Sequence, residues 1–296
     1  MKLISSVKRK IKKKLHQPYG EILMLHSVVK ERSVLHENRI LEITPDFLEQ
    51  TILKYKSEGY RFASLDKVQR KLERRKFSWR KFVCFTMDDG YANSFEQAYP
   101  VFKKHNCPFA IYITTDYPDK KAQYWWYQLE DALLKNEKLS INGVEYDCSD
   151  LDKKNKAFWD IREKIFSPES ETTHEALKNI FRAYDCQEKS IALSWEQIVA
   201  LSSDPLCTIG AHTLSHASLP TLSDEMIVRE LSESRQKIED RIKKPVKHFA
   251  YPYGNYDSRV VRLAREQFST AVTVNWGEIN KGDDLFMLNR KSLEEQ

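Results

Sequence analysis

The chain has 296 residues, 41% hydrophobic, 31% charged and 11% aromatic, a length at which one domain buries about 75% of its unfolded surface and needs no disulfides or structural metal. Only 8 Gly and 10 Pro, with aromatic residues spread from Tyr19 to Phe286, exclude collagen-like, low-complexity and largely disordered classes. The net charge of +5 is local, because residues 1–14 carry seven basic side chains and no acid; the remainder sums to −2, which argues against a large nucleic-acid footprint.

Within the basic segment Ile4, Val7, Ile11 and Leu15 recur at three- and four-residue steps, so residues 1–16 are predicted to be an amphipathic arm. Over residues 1–15 such an arm suits peripheral contact with an anionic membrane face. A solvated arm docked on its own domain competes with that reading, and no aromatic residue interleaves with the lysines as a single-strand nucleic-acid binder would need. No run approaches the ~18 apolar residues of a membrane span, and the first residues lack a secretory core, which predicts a cytoplasmic chain, at most peripheral on the membrane's cytoplasmic face. Five scattered cysteines, never in C-x-x-C spacing, predict reduced thiols.

A single domain is predicted over residues 17–296. Glu21 to His26 reads as a buried strand; Thr44-Pro45-Asp46 opens a helix that Gly59 ends; Tyr60-Arg61-Phe62 is strand-like and a second helix starts near Ser64. Lys81 to Met87 is a β-rich run closed by Asp88-Asp89-Gly90, followed by a helix through Phe95, Ala98 and Phe102 and a strand at Phe109 to Thr114. Residues 116–194 break the rhythm and read as a mostly helical insertion, with polar spacers at Asn142-Gly143 and Ser167-Pro168. Alternation then resumes, with strands at Cys207 to Gly210, His248 to Tyr251 and Thr270 to Val274, and a last one over Phe286 to Leu288. About seven parallel strands separated by helices predict an α/β fold of barrel type.

Parallel α/β folds place their sites at the carboxyl ends of strands. There stand His26, Asp88 and Asp89, His212 and His216 (HTLSH), and Tyr251 to Gly254. Singly each is weak, since Asp-Gly is usually a turn and two histidines four apart usually lie one helical turn from each other on a solvated face. Together, two histidines and one aspartate form a ligand set typical of a catalytic zinc. HTLSH lacks the glutamate of an H-E-x-x-H metalloprotease, so the base that activates water comes from elsewhere, and the second aspartate is the candidate. Trp125, Trp126 and Tyr127 suit stacking on a sugar ring, although packing is the commoner use of such residues.

FTMDDGY resembles the T-F-D-D-G motif of the polysaccharide deacetylases, the NodB-homology esterases; HTLSH resembles their H-[ST]-x-x-H motif, and FAYPYG their proline-tyrosine loop, over about Glu21 to Arg290. The resemblance implies a distorted (β/α) barrel, Asp88 as catalytic base, and a divalent ion, zinc by preference, on Asp89, His212 and His216. It also implies that Tyr253 lends its backbone N–H to the oxyanion. The chain departs from the pattern in two places: Ala250 stands where the motif has Arg, and no Leu-x-His follows near the C-terminus to supply the acid. LMLHSVV resembles the opening of a permuted subgroup whose N-terminal histidine takes the acid's place, which selects His26; Arg290, ending FMLNR, is the candidate for the missing cation beside Asp88. The expected function is therefore metal-dependent removal of acetyl from an N-acetylated sugar of a glycan or a glycan-biosynthesis intermediate. A non-catalytic carbohydrate-binding or scaffold protein on the same fold is the alternative, motivated by the missing arginine.

Overall fold

The computed structural model describes residues 19–74, 81–122, 124–165, 170–184 and 191–295. The basic arm predicted over residues 1–16 lies outside them. In chain order the described elements are β1 (Gly20–Leu25), β2 (Ser27–Val28), α1 (His36–Arg39), β3 (Glu42–Ile43), α2 (Pro45–Ser57), β4 (Arg61–Phe62), α3 (Leu65–Arg74) and β5 (Phe82–Met87). A π-turn over Ser94–Ala98 leads into α4 (Tyr99–Lys104), then β6 (Phe109–Ile113), α5 (Trp125–Lys135), β7 (Lys138–Ile141), β8 (Val144–Asp147), α6 (Leu151–Ile165) and α7 (Ser170–Ala183). The chain ends with α8 (Trp195–Ser203), β9 (Cys207–Ala211), α9 (Asp224–Ile242), β10 (His248–Ala250), α10 (Ser258–Gln267), β11 (Thr270–Val272) and β12 (Lys291–Ser292).

The main sheet is parallel, in the order β11-β10-β9-β6-β5-β1-β12, and it curls into a distorted barrel with helices around it. With β1 along one edge of β5, β4 pairs with Phe82 and Val83 on the other edge and β6 with Phe85 to Met87. β1, β5 and β6 are buried at every residue, as parallel strands covered on both faces must be. Alternate side chains serve two cores. Leu23, Phe85 and Ile111 pack with Ile52, Ile198 and Leu231 of the surrounding helices, while Ile22, Cys84 and Tyr112 pack with Leu65, Val68 and Leu72 of α3. The predicted start of α2 is realised as read: Thr44 caps it by accepting from the Phe47 N–H, and Pro45 sits in its first turn.

Two expectations need correction. Phe286 to Leu288 is not a strand; it makes one parallel bridge, Leu288 to Val272, and the last strand is β12 on β1. The physical reason is a change of partner. Leu288 donates to Ala271 O at 3.1 Å and Thr273 donates to Leu288 O at 2.9 Å, whereas Leu293 already donates to Met24 O at 2.8 Å, so neither edge receives a full ladder. This crossing segment carries Arg290 between β11 and β1, where it is 0% exposed.

The second concerns Asn142-Gly143, read as a spacer. It is the turn of an antiparallel hairpin, β7 with β8, and both residues have positive φ (50° and 78°), as a two-residue hairpin loop favours. Helices α5, α6 and α7 pack with this hairpin in a separate cluster that includes Leu129, Phe158, Ile161 and Leu177, joined by Leu35 and Tyr91 from barrel loops.

Candidate active site

The chain leaves β5 in a tight turn in which Asp89 (φ 69°) and Gly90 (φ 72°) are left-handed. The Tyr124 hydroxyl bonds to the carbonyls of both, at 3.1 and 3.3 Å. His212 directly follows β9. Residues 213–216 then form a loop rather than the helical turn inferred from the spacing of the two histidines: Thr213 (φ 69°) and His216 (φ 63°) are both left-handed, and the His216 N–H donates to Thr213 Oγ1 at 3.0 Å. A positive φ at a β-branched residue costs about 1–3 kcal/mol and persists only where its surroundings enforce it.

The loop carries His216 back over Asp89. Asp89 Oδ1 lies 3.3 Å from His212 Nε2 and 3.1 Å from His216 Nε2, and the three potential ligand atoms fall within 4.8 Å of one another. Metal–ligand bonds of about 2.0–2.2 Å put neighbouring ligand atoms about 3–3.5 Å apart, so the trio fits one divalent ion. His212 Nδ1 lies 2.8 Å from Ala250 O. A carbonyl only accepts, so Nδ1 carries a proton, which leaves Nε2 as the atom that can offer a lone pair to an ion.

All three side chains are buried. Burial opposes the charge of Asp89, yet the two imidazoles outweigh it and hold the carboxyl well below its usual range. Burial likewise opposes a charged His212, but Asp89 and Asp88 prevail and raise its pKa; for His216 burial prevails and the pKa falls.

Asp88 faces a different partner. Arg290 Nη1 donates to Asp88 Oδ1 and Nη2 to Oδ2, both at 2.7 Å, a bidentate pair with Asp88 3% exposed. Arg290 Nε also donates to Thr273 O at 2.8 Å, and Nη1 to Thr86 Oγ1 at 3.2 Å. Burial would raise the Asp88 pKa; the guanidinium outweighs it and keeps the pKa low. His26 Nε2 lies 3.9 Å from Asp88 Oδ2. Two other histidines are engaged elsewhere, His105 with Glu49 at 2.7 Å and His248 with Thr270 Oγ1 at 2.8 Å.

These residues share one cleft of about 210 Å³, lined by His26, Asp88, Asp89, His212, His216 and Tyr253. Arg290 lies behind Asp88. Tyr253 sits in a short turn after β10 with φ 57°, its ring edge-on to His216 at 4.3 Å, and its hydroxyl accepts from Trp125 Nε1 at 3.4 Å. Trp125, Trp126 and Phe158 form an aromatic wall. Glu37, Asn38, Ile40, Leu41 and Arg162 also line the cleft and were not anticipated. No motif marks them: Glu37 and Asn38 belong to the four-residue α1, and Arg162 reads as an ordinary surface position of α6.

A β-strand-end cleft on a distorted barrel thus sets a trio that could hold one divalent ion beside a second buried carboxylate, a class of site able to activate water. The family model for polysaccharide deacetylase matches residues 78–272, so the chain belongs to the polysaccharide deacetylase family and is a carbohydrate deacetylase, a hydrolase. Among solved structures it is similar to the Streptococcus pyogenes deacetylase PplD in complex with acetate, with TM-score 0.66, 20% identity and 94% of each chain covered. IcaB from Ammonifex degensii is also similar, with TM-score 0.62, 18% identity, and 94% of this chain and 93% of that one covered. The de-N-acetylase from Aggregatibacter actinomycetemcomitans gives TM-score 0.62 at 17% identity, with 93% of this chain and 94% of that one covered. At these identities the likeness is one of fold. No curated protein matches the chain in sequence.

Proposed function

We propose that this protein is a divalent-metal-dependent N-deacetylase of an N-acetylated sugar in a glycan or a glycan-biosynthesis intermediate. The observation that carries this reading is the buried Asp89–His212–His216 trio beside an Asp88 whose charge is fixed by Arg290. Two imidazoles and a carboxylate suit zinc. A bound ion supplies Lewis acidity, lowering the pKa of water and polarising the acetyl carbonyl. Asp88 takes the proton of the attacking water, and Arg290 keeps its oxygens ionised and oriented until then. The Tyr253 N–H donates to the oxyanion as the carbonyl becomes tetrahedral. His26 gives a proton to the departing nitrogen, and the products are acetate and the amino sugar.

A non-catalytic carbohydrate-binding protein is not favoured, because its motive was the arginine missing at Ala250, and Arg290 stands against Asp88 from another part of the chain. The test is acetate release from a panel of N-acetylated sugars, with and without chelator. Release that chelation abolishes supports the reading; no release from any of them opposes it. The basic arm, on this reading, docks the enzyme peripherally on an anionic membrane face from the cytoplasm, and retention on anionic but not neutral vesicles checks that part.

A further inference from the structure

The two histidines of the trio are held differently. His212 has its ring fixed by the Ala250 carbonyl, whereas His216 Nδ1 is buried and has no hydrogen-bond partner among the described residues. Apart from Asp89 at its Nε2, the His216 ring meets other rings, among them Tyr253 at 4.3 Å, His212 at 4.9 Å and Trp126 at 5.7 Å. Its position therefore depends on the backbone it hangs from, and that backbone is left-handed at both Thr213 and His216, conformations that L side chains resist.

Glu230 lies behind this loop. It sits in α9 on the buried face with Ile227, Leu231 and Ser234, and is itself 5% exposed. A carboxylate in that setting is costly unless donors surround it. Its donors are the Leu214 N–H and the Ser215 N–H, both 2.9 Å from Oε2, and the Ser215 hydroxyl, 2.7 Å from Oε1. All three belong to the residues immediately before His216. From the opposite side the Thr115 N–H donates to Thr213 O at 3.2 Å and the Asp116 N–H to Leu214 O at 2.8 Å. The loop is thus clamped between a strand-end segment and one buried carboxylate. A helix reached only after a further turn of chain supplies the group that fixes the loop's shape.

We infer that Glu230 is a positioning residue that sets His216 as a metal ligand, an inference that rests on the metal-binding reading of the trio. Groups that orient ligands in this indirect way typically change metal affinity 10–100-fold when altered. In Glu230→Leu both accepting oxygens are removed, so all three donors lose their partner and the clamp is lost while most of the side-chain bulk is kept. Ser215→Ala removes one of the three donors and leaves the carboxylate in place; it is the milder variant should Glu230→Leu fold poorly.

The experiment titrates Zn²⁺ into the full metal-free chain by competition with a chromogenic chelator, and records the Co²⁺ electronic spectrum and the metal-free thermal transition of each variant. Wild type and His216→Ala serve as references. The expected result is a 10–100-fold weaker Zn²⁺ affinity and altered Co²⁺ bands for Glu230→Leu, with a smaller loss of affinity for Ser215→Ala and its metal-free transition unchanged. If wild type binds tightly, His216→Ala does not, and both clamp variants bind like wild type with unchanged Co²⁺ bands, the positioning role is overturned and the metal site stands. If wild type itself fails to bind, or His216→Ala binds equally well, the metal-binding reading fails and the inference falls with it.

Discussion

Replacing Arg290 by Met removes a cation that is 0% exposed from a carboxylate that is 3% exposed. Two donor contacts of 2.7 Å to Asp88 are lost, together with those to Thr273 O and Thr86 Oγ1. Arg290 is out of solvent and Asp88 nearly so, and screening therefore discounts the effect little; breaking such a pair from one side costs about 3–5 kcal/mol. At about 1.4 kcal/mol per decade that is about 10²–10⁴ in the folding equilibrium. The pH dependence has a definite sign. In the wild type the Asp88 pKa is lowered on folding, so its contribution is present above the unfolded-state pKa and is lost as pH falls through the folded value. Without Arg290, burial is opposed only by His212 and His26 and the Asp88 pKa rises, which makes the charged form less favourable at neutral pH and matters less in acid. Urea unfolding of wild type and Arg290→Met at pH 7.5 and pH 5 should therefore show a large stability difference that narrows at the lower pH. In acetate-release assays the acid limb of the variant should move to higher pH. A difference under about 1 kcal/mol at pH 7.5 with an unmoved acid limb would refute the argument, because a buried Asp88 would then be tolerating its charge without its partner.

Asp88→Asn should keep its metal and lose about 10²-fold or more in turnover; near-normal rates would reassign the base. His26→Ala should retain metal, lose about 10²–10⁴-fold, and flatten the alkaline limb of the rate profile, which a full pH series would reveal. Gly210 lies in β9 where an added Cβ would stand 2.5 Å from Tyr112 Cδ1 and 2.9 Å from His248 O, so Gly210→Ala should lower the unfolding free energy by about 1–3 kcal/mol. An unchanged urea midpoint would contradict that packing.

The longer parallel strands were legible because each is a short run of β-formers buried on both faces, as in FVCFTM before Asp88-Asp89, whereas the two-residue β12, Lys291–Ser292, carries no such signal. Strand ends locate a site, so the clustering of His26, Asp88, Asp89, His212, His216 and Tyr253 could be read before any coordinates. The approach of Arg290 to Asp88 came from a deficit at Ala250 and not from local pattern, since 202 residues separate the pair. What the pattern hid was backbone conformation. Histidines four apart suggested a helical turn, whereas left-handed Thr213 and His216 close a loop. The hairpin around Asn142-Gly143 was missed because its strands are four residues each and alternate buried and exposed only in β7. The cleft wall from α1 has no periodic signal; it is held by tertiary contacts such as Glu130 accepting from the Val34 and Leu35 amides at 2.8 and 3.0 Å.

The most direct measurement is the metal content of purified, extensively dialysed protein, compared between wild type and the His212→Ala and His216→Ala variants by elemental analysis. The expected result is about one divalent ion per wild-type chain, and sharply lower occupancy in both variants with the far-UV circular dichroism of the wild type retained. Equal metal content in all three proteins would contradict it.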